Sequence, residues 1–128
     1  KMNDGASIMA LTYYGSTRYM QSYNVMGVAK AALETSIKYL SVDMGDRGIR
    51  VNAISAGPMR TLAGAVINKS RKIYNYTIEN SPIKKPLSLE DIGKSSVYLM
   101  SDLSKGVTGE ILYVDNGYNN VGMSIQEL

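Results

Sequence analysis

The stretch from Tyr23 to Lys30 carries two side chains that can act together in catalysis. The two residues are seven positions apart, which on a helix places them about two turns apart and on nearly the same face. A Tyr hydroxyl can donate a proton or a hydrogen bond to a developing oxyanion. A nearby ammonium group lowers the pKa of a Tyr and can also bind a diol or a phosphate. The spacing therefore predicts a donor–cation pair.

The same residues also have a purely structural interpretation. Tyr23 suits the start of a helix, with its hydroxyl in solvent. Lys30, Glu34 and Lys38 follow one another at intervals of four, which is typical of a solvated stripe of paired charges. The spacing alone leaves both interpretations open.

The composition limits which chemistry is available. The 128 residues contain no His and no Cys, so we expect no metal site, and catalysis must use Tyr, Lys, Ser, Thr or carboxylates. The formal charge of +3 is mild and does not indicate a nucleic-acid partner. No apolar run approaches the roughly 18–20 residues of a membrane span, so we expect no membrane partner.

The elements that must position the pair alternate between strands and helices. The sequence predicts three strands: a nearly continuous apolar run at residues 7–14, an alternating segment at 49–56 that ends in Gly57-Pro58, and a short segment at 111–115 after a glycine turn. Apolar residues at spacings of three and four predict a long helix over Tyr23–Met44. This helix is apolar around most of its girth, so we expect it to be buried on more than one side.

The second half of the chain is less regular. Between residues 59 and 86 the sequence predicts only short helices, around 62–68 and 69–80. Ser88, followed by Glu90 and Asp91, predicts an N-cap and the acidic first turn of a helix that continues to about Ser101.

Strands that alternate with helices predict an α/β fold with a parallel sheet of the doubly wound type. Three strands are few for such a sheet, and the first begins within a few residues of the N-terminus. We therefore expect residues 1–128 to form the C-terminal part of a single larger domain.

Four segments carry a resemblance to a known family. The segment YNVMGVAKAALE, from Tyr23 to Glu34, resembles the active-site segment of the NADH-dependent enoyl-acyl-carrier-protein reductases, divergent members of the short-chain dehydrogenase/reductase superfamily. Their pattern is a Tyr, six residues and a Lys, whereas ordinary superfamily members have three residues between the two. LTYYG, RVNAISAGPMRTLA and GVTGEILYVDNGY agree with the same family, in order and over nearly the whole chain.

The resemblance implies the C-terminal half of a Rossmann-type, doubly wound parallel sheet. The glycine-rich loop of the family belongs to its N-terminal half and does not occur in this sequence. The implied reaction is reduction of the trans-2 double bond of enoyl-acyl-carrier-protein thioesters with NADH, in fatty-acid elongation. A homotetramer is implied as well, in a bacterial-type cytoplasm or a plastid-like organelle.

The resemblance also implies a role for individual residues. Tyr23 would stabilise the enolate, Lys30 would hold the nicotinamide ribose, and Tyr13 would be a second active-site Tyr with a secondary catalytic role. The implied acyl pocket consists of Tyr13, Tyr23, Met26 and Ala63. The implied cofactor contacts are Lys30, Gly57, Pro58, Met59 and Thr61.

Residues 59–86 correspond to the substrate-binding lid of the family. The basic run of Lys69, Arg71 and Lys72 lies inside it, and we expect these side chains to dock an acidic acyl carrier protein. The simpler interpretation of such a run is a solvated helix face.

Two local departures from the family pattern stand out. Gln21-Ser22 occupy the place where Pro-Asn is expected before Tyr23, and Asn116 replaces the more usual Gly after Asp115.

Two other functions also remain open: an ordinary short-chain dehydrogenase that acts on a carbonyl, or a non-catalytic fragment that pairs with a separate N-terminal half.

Overall fold

A single three-stranded parallel sheet organises the chain. The computed structural model describes residues 2–61 and 69–123. The strands are β1 (Ser7–Thr12), β2 (Arg50–Ala56) and β3 (Ile111–Val114), in that spatial order. Ser7 is aligned with Arg50 in the first pair, and Ala53 with Ile111 in the second. The predicted α/β class with a parallel sheet is confirmed.

In the described ranges, three α-helices connect and cover these strands. They are α1 (Val25–Asp43), α2 (Ser70–Asn80) and α3 (Leu89–Met100). The predicted strands and helices are present within one or two residues of their expected ends. The two differences that matter are that α1 begins after Tyr23 and that β1 ends at Thr12, before both Tyr13 and Tyr14. The helix expected around 62–68 lies outside the described residues.

The core has two halves, one on each face of β2. Val51 and Ala53 pack with Ile37 of α1, whereas Ile54 packs with Ile92 and Leu99 of α3. Successive side chains of a strand point to opposite faces, so the alternation along β2 assigns one helix to each side of the sheet. The result is a helix–sheet–helix sandwich in which β2 is the central, most deeply buried strand.

Helix α1 has one buried face and one exposed apolar face. Glu34, Ile37 and Ser41 are its buried residues. Val25 and Val28 lie on the opposite side and are 74% and 69% exposed. Within this chain the helix is therefore covered on one side only, contrary to the expectation of burial on several sides.

Helix α3 is fixed at both ends by side chains. Ser88 and Asp91 form a reciprocal capping box at its start, which confirms the predicted N-cap. At its other end the guanidinium of Arg50 donates to the carbonyl oxygens of Leu99 and Ser101, at 2.9 and 3.0 Å. A cation at this position also opposes the partial negative charge of the helix C-terminus.

Asn116 occupies a turn that requires left-handed backbone. Its φ is 58°, a conformation that glycine adopts freely and that Asn tolerates better than most residues. The Asn side chain also donates to the carbonyl oxygen of Lys85 at 2.7 Å. The replacement of the more usual Gly is thus accommodated. Across the described ranges, no helix has both the length and the apolar character needed to cross a membrane.

Candidate active site

A cavity of about 440 Å³ lies where the carboxyl ends of β1 and β2 meet α1 and α2. Ligands of open α/β sheets bind at this edge, because loops diverge there and helix N-termini converge. The lining includes the predicted catalytic, cofactor and acyl-pocket residues that the structure describes: Tyr13, Tyr23, Met26, Lys30, Gly57, Pro58, Met59 and Thr61. Ala63, the remaining pocket prediction, lies outside the described residues.

Tyr23 belongs to the turn that leads into α1 and not to the helix itself. The expectation that Tyr23 and Lys30 lie two turns apart on one face of a helix is therefore wrong. The turn is tight, since Ser22 and Asn24 both have positive φ values, of 66° and 50°. Backbone of this kind is costly for residues other than glycine and is found preferentially at functional sites. The Tyr side chain is 6% exposed and lines the cavity.

The rings of Tyr13 and Tyr23 pack edge to face, with centroids 4.9 Å apart. Gly15 makes this arrangement possible, because a Cβ atom at this position would lie 2.6 Å from Cδ1 of Tyr23. A Cβ atom at Gly27 would in turn lie 2.8 Å from the carbonyl oxygen of Gly15. The sequence analysis treated Gly15 only as the end of a strand and assigned no role to Gly27.

Burial raises the pKa of the Tyr23 hydroxyl above its ordinary value. The pKa of Tyr13 is raised too, chiefly by burial and further by the neighbouring Tyr118 and Tyr23 hydroxyls. The expectation that an ammonium group lowers the pKa of Tyr23 is therefore not met in this chain. Both hydroxyls carry their protons at neutral pH and can act as hydrogen-bond donors.

Lys30 and Glu34 attach α1 to the end of β1. The Lys30 Nζ donates to the carbonyl oxygen of Leu11 at 2.8 Å, and the Thr12 hydroxyl donates to Oε1 of Glu34 at 2.7 Å. Both Glu34 and Thr12 are buried. The solvated-stripe interpretation is thus wrong for Glu34, which holds the strand end beside the cavity.

The segment after β2 forms the opposite wall. The Gly57 backbone N–H donates to the carbonyl oxygen of Val114 at 2.9 Å. A Cβ atom at Gly57 would lie 3.0 Å from Cα of Asp115, so the glycine allows this segment to approach β3 closely. This contact directs Pro58 and Met59 into the cavity.

Helix α2 closes the cavity through residues that the sequence analysis did not single out. Ser70, Ile73 and Tyr74 line it. The Tyr74 ring also lies under the guanidinium carbon of Arg60, 5.1 Å from the ring centre. A helix was predicted here, but its weak periodicity gave no sign of which face it turns towards the cavity.

The predicted docking residues Lys69, Arg71 and Lys72 are exposed and do not line the cavity. They occupy the N-terminal turn of α2, which carries no acidic residue and no side-chain cap. Cations at a helix N-terminus are unfavourable for the helix, so local stability does not explain this basic run.

A second hollow, of about 870 Å³, lies between the start of α3 and the end of β3. Charged residues such as Lys85, Asp91 and Lys94 line it, but none of the predicted catalytic or cofactor residues does. It is the larger of the two hollows, yet only the smaller cavity contains the predicted pair, Tyr23 and Lys30.

The parallel sheet, with a Tyr–Lys cavity at its carboxyl edge, defines a Rossmann-type protein of the short-chain dehydrogenase/reductase class. The model of one family within this class, described as enoyl-(acyl carrier protein) reductase, matches residues 1–119. The chain belongs to that family. It is 60% identical over 122 residues to the enoyl-[acyl-carrier-protein] reductase [NADH] 1 of Rhizobium meliloti, covering 95% of this chain and 45% of the relative.

Solved structures of related proteins have the same fold. FabI from Candidatus Liberibacter asiaticus matches with a TM-score of 0.88 and 59% identity, over 91% of this chain and 45% of the other. The reductase of Anaplasma phagocytophilum, in complex with NAD, matches with a TM-score of 0.88 and 52% identity, over 94% and 46%. The chain therefore spans about half the length of the relatives it matches.

Proposed function

We propose that the whole protein containing this chain is an enoyl-acyl-carrier-protein reductase that uses NADH. The observation that carries the proposal is the convergence of two protonated tyrosines and a lysine on one partly apolar cavity at the sheet edge. An apolar wall suits an acyl chain, and the polar groups suit the thioester end of the same substrate.

In this proposal Tyr23 is the residue that stabilises the transition state. Reduction at the β-carbon of an enoyl thioester places negative charge on the thioester oxygen. The Tyr23 hydroxyl donates a hydrogen bond to that oxygen, and its raised pKa keeps the proton on the phenol until the charge develops. Tyr13, packed against Tyr23, fixes the ring and lines the acyl pocket with Met26.

The residues present fit the nicotinamide half of a dinucleotide. The Lys30 ammonium supplies donors suited to ribose hydroxyls. The segment from Gly57 to Thr61 supplies backbone groups of Met59 and the Thr61 hydroxyl at the carboxyl edge of β2. NADH supplies the hydride when it is bound. Lys30 and this segment orient it against the substrate, while the apolar wall excludes water.

The test separates the roles of the two residues in the whole protein. Tyr23→Phe should lower kcat with little change in NADH affinity, because its hydroxyl acts mainly on the developing enolate. Lys30→Ala should weaken NADH binding markedly. Unchanged NADH affinity in the Lys30 variant, or unchanged kcat in the Tyr23 variant, would remove the assigned role.

A substrate panel tests the reaction class. The proposal expects NADH oxidation with trans-2-enoyl thioesters and none with simple ketones or aldehydes. Turnover of ketones alone would instead indicate an ordinary short-chain dehydrogenase, and no turnover of any of these substrates by the whole protein would indicate a non-catalytic role.

The lid region, residues 59–86, is proposed to receive the acyl carrier protein. Lys69, Arg71 and Lys72 project into solvent from the same helix that lines the cavity with Ile73 and Tyr74. Acyl carrier proteins are acidic, so this run would steer the carrier to the cavity mouth. Steering of this kind raises the association rate and weakens with salt.

Exposed charge pairs contribute only about 0.2–1 kcal/mol each, so two residues are changed together. Replacing Arg71 and Lys72 with Glu should raise KM for carrier-bound substrates at low salt and leave a short uncharged thioester unaffected. The matched control replaces Lys94 and Lys105 with Glu. These two lysines are also exposed, but they form ion pairs with Glu90 and Asp102. Equal losses with both substrates would mean that the lid residues support folding.

Assembly and location complete the proposal. We infer that the exposed apolar face of α1 joins copies of the protein into a homotetramer, since a face of this kind on a long helix is typical of subunit contacts. The bacterial sources of the similar reductases support a bacterial-type cytoplasm, or a plastid-like organelle of bacterial descent.

A further inference from the structure

Arg60 is a cation at the mouth of the cavity that no step of the proposed reaction uses. It lies between Met59 and Thr61, which both line the cavity. Its side chain is exposed, and its guanidinium carbon lies 5.1 Å from the centre of the Tyr74 ring. Because Tyr74 also lines the cavity, this contact holds the guanidinium at the rim.

The charged residues in the chain segment around Arg60 are all basic. From Gly57 to Ile78 the sequence contains Arg60, Lys69, Arg71 and Lys72, and neither Asp nor Glu. Among the residues that the structure describes, the ion pairs involve Arg47, Lys94 and Lys105, and none involves Arg60. An exposed cation in a basic segment of this kind attracts an anion.

The cation–π contact with Tyr74 leaves the N–H groups of the guanidinium available for an anion. An aromatic ring attracts the positive charge of a guanidinium but accepts no conventional hydrogen bond from all of its N–H groups. The guanidinium presents N–H groups in a fixed fork that matches two oxygens of a phosphate group. A lysine would offer a point charge without this fork.

We propose that Arg60 binds a phosphate ester of a ligand that enters this cavity. The identity of the ligand rests on the proposed function, which offers two sources at this mouth. One is the phosphate in the 4′-phosphopantetheine arm of a carrier-bound thioester, and the other is the pyrophosphate of the dinucleotide. Both present the same phosphate oxygens, so the experiment is designed to separate them.

The test uses two thioesters that differ by one phosphate, crotonyl-pantetheine and crotonyl-4′-phosphopantetheine, with the whole protein at saturating NADH. If the arm is the source, Arg60→Met raises KM for the phosphorylated thioester by about tenfold, as expected for one charge-assisted pair, and leaves the other unchanged. Arg60→Lys recovers only part of this loss. If the dinucleotide is the source, Arg60→Met instead raises the Kd for NADH by a similar factor.

The control is Arg47→Met, which removes an exposed guanidinium that pairs with Asp4 outside the cavity lining. It should change neither KM nor the NADH Kd. Calorimetric binding of free 4′-phosphopantetheine and of NADH is measured in parallel, so the inference is tested even if no thioester is reduced. If the wild-type protein reduces neither thioester, the result counts against the proposed function and not against the phosphate assignment. An Arg60→Met variant that keeps both affinities, or that raises KM equally for both thioesters, overturns the phosphate assignment.

Discussion

Tyr23 owes its position to two glycines as much as to its own packing. The Tyr23 ring lies against the backbone of Gly15, and the carbonyl oxygen of Gly15 lies against Gly27. Gly15→Ala should therefore displace the ring and lower kcat by at least tenfold, or about 1.4 kcal/mol in transition-state stabilisation. In a Tyr23→Phe background the same change should cost little more, because the two residues act through one hydroxyl.

Gly93→Ala is the matched control for this prediction. Gly93 lies in α3 with nothing within 4 Å of an added Cβ atom, so the substitution should keep kcat. It should also stabilise the protein by about 0.5–1 kcal/mol, the usual gain from replacing a helical glycine. Full additivity of Gly15→Ala with Tyr23→Phe would show that Gly15 does not act through the tyrosine.

The buried Tyr13 hydroxyl should make stability sensitive to alkaline pH. The ordinary Tyr pKa is 10.0, and burial raises the Tyr13 pKa above it in the folded state. Below about pH 10 the hydroxyl is neutral in both states and adds no pH dependence. Above it the unfolded chain ionises first, so the free energy of unfolding falls as pH rises. Tyr13→Phe should flatten the fall of Tm between about pH 9.5 and 11.

Tyr19→Phe serves as the comparison, because Tyr19 is 87% exposed and makes no ring contact among the described residues. This variant should keep the wild-type slope of Tm against pH. If Tyr13→Phe keeps the wild-type slope as well, ionisation of Tyr13 does not limit alkaline stability.

At the residue scale, local pattern predicted several of the side chains that line the cavity, but not the contacts that hold them. The Tyr–Lys spacing and the family resemblance identified Tyr23 and Lys30, and both line the cavity. The burial of Glu34 was not predictable, because its partner Thr12 is 22 positions away and helical spacing alone assigns it to a solvated stripe. The raised pKa of Tyr23 was missed because it depends on burial, which spacing does not report.

At the element scale, Arg50 links the central strand to the end of α3. Its guanidinium donates to two carbonyl oxygens there and to the Ser104 hydroxyl at 2.8 Å. Arg50→Met would leave half-buried carbonyl groups without a charged donor. We expect it to lower the free energy of unfolding by about 2 kcal/mol, in the range found for hydrogen bonds to charged groups.

Arg47→Met is the comparison for Arg50→Met, because the contacts of Arg47 lie at the surface. Arg47 forms an exposed ion pair with Asp4 and donates to the carbonyl oxygen of Met2, also at the surface, so its loss should change the unfolding free energy by about 1 kcal/mol or less. Denaturant unfolding of the whole protein compares the two variants. Equal effects would mean that the partial burial of the Arg50 contacts adds nothing to their contribution.

Strands and helices were predictable from the sequence where the pattern of apolar residues reflects burial on both faces of the element. Strand β2 is buried throughout its centre, and its alternating residues with the following Gly57-Pro58 marked it clearly. Helix α2 was harder to predict from the sequence, because its first turn is basic and has no side-chain cap. A sequence signal that opposes helix formation at a helix start points to a role outside the helix, here the proposed contact with an acidic carrier.

For the whole molecule, sheet order follows from the alternation of strands and helices, but the extent of the domain does not. Three strands were too few for a doubly wound sheet, and the chain indeed spans about half of its relatives. Leu11 of β1 is half exposed, and within the described part of the chain this strand pairs with β2 alone. An open strand of this kind needs a partner, and the proposed function assigns that place to the rest of the reductase domain.

The outer face of α1 allows a sharp test of assembly. Ala32 lies at the centre of this face, between Val25 and Val28 on one side and Tyr39 on the other, and all four are exposed. Ala32→Arg would place a charge in the middle of an apolar contact, where desolvation is not compensated. If the proposed tetramer forms through this face, the variant of the whole protein should sediment as a smaller species while its far-UV dichroism is unchanged.

Asp46→Arg, on the exposed turn after α1, changes surface charge away from that face and should leave the assembly intact. The comparison matters because the two variants differ in where the Arg lies: on the mostly apolar outer face of α1 or on a polar turn. If the Ala32 variant remains a tetramer, the subunits meet elsewhere. The exposed valines of α1 would then have to be covered by the remaining half of the same domain, which a truncation that removes that half would reveal as new aggregation.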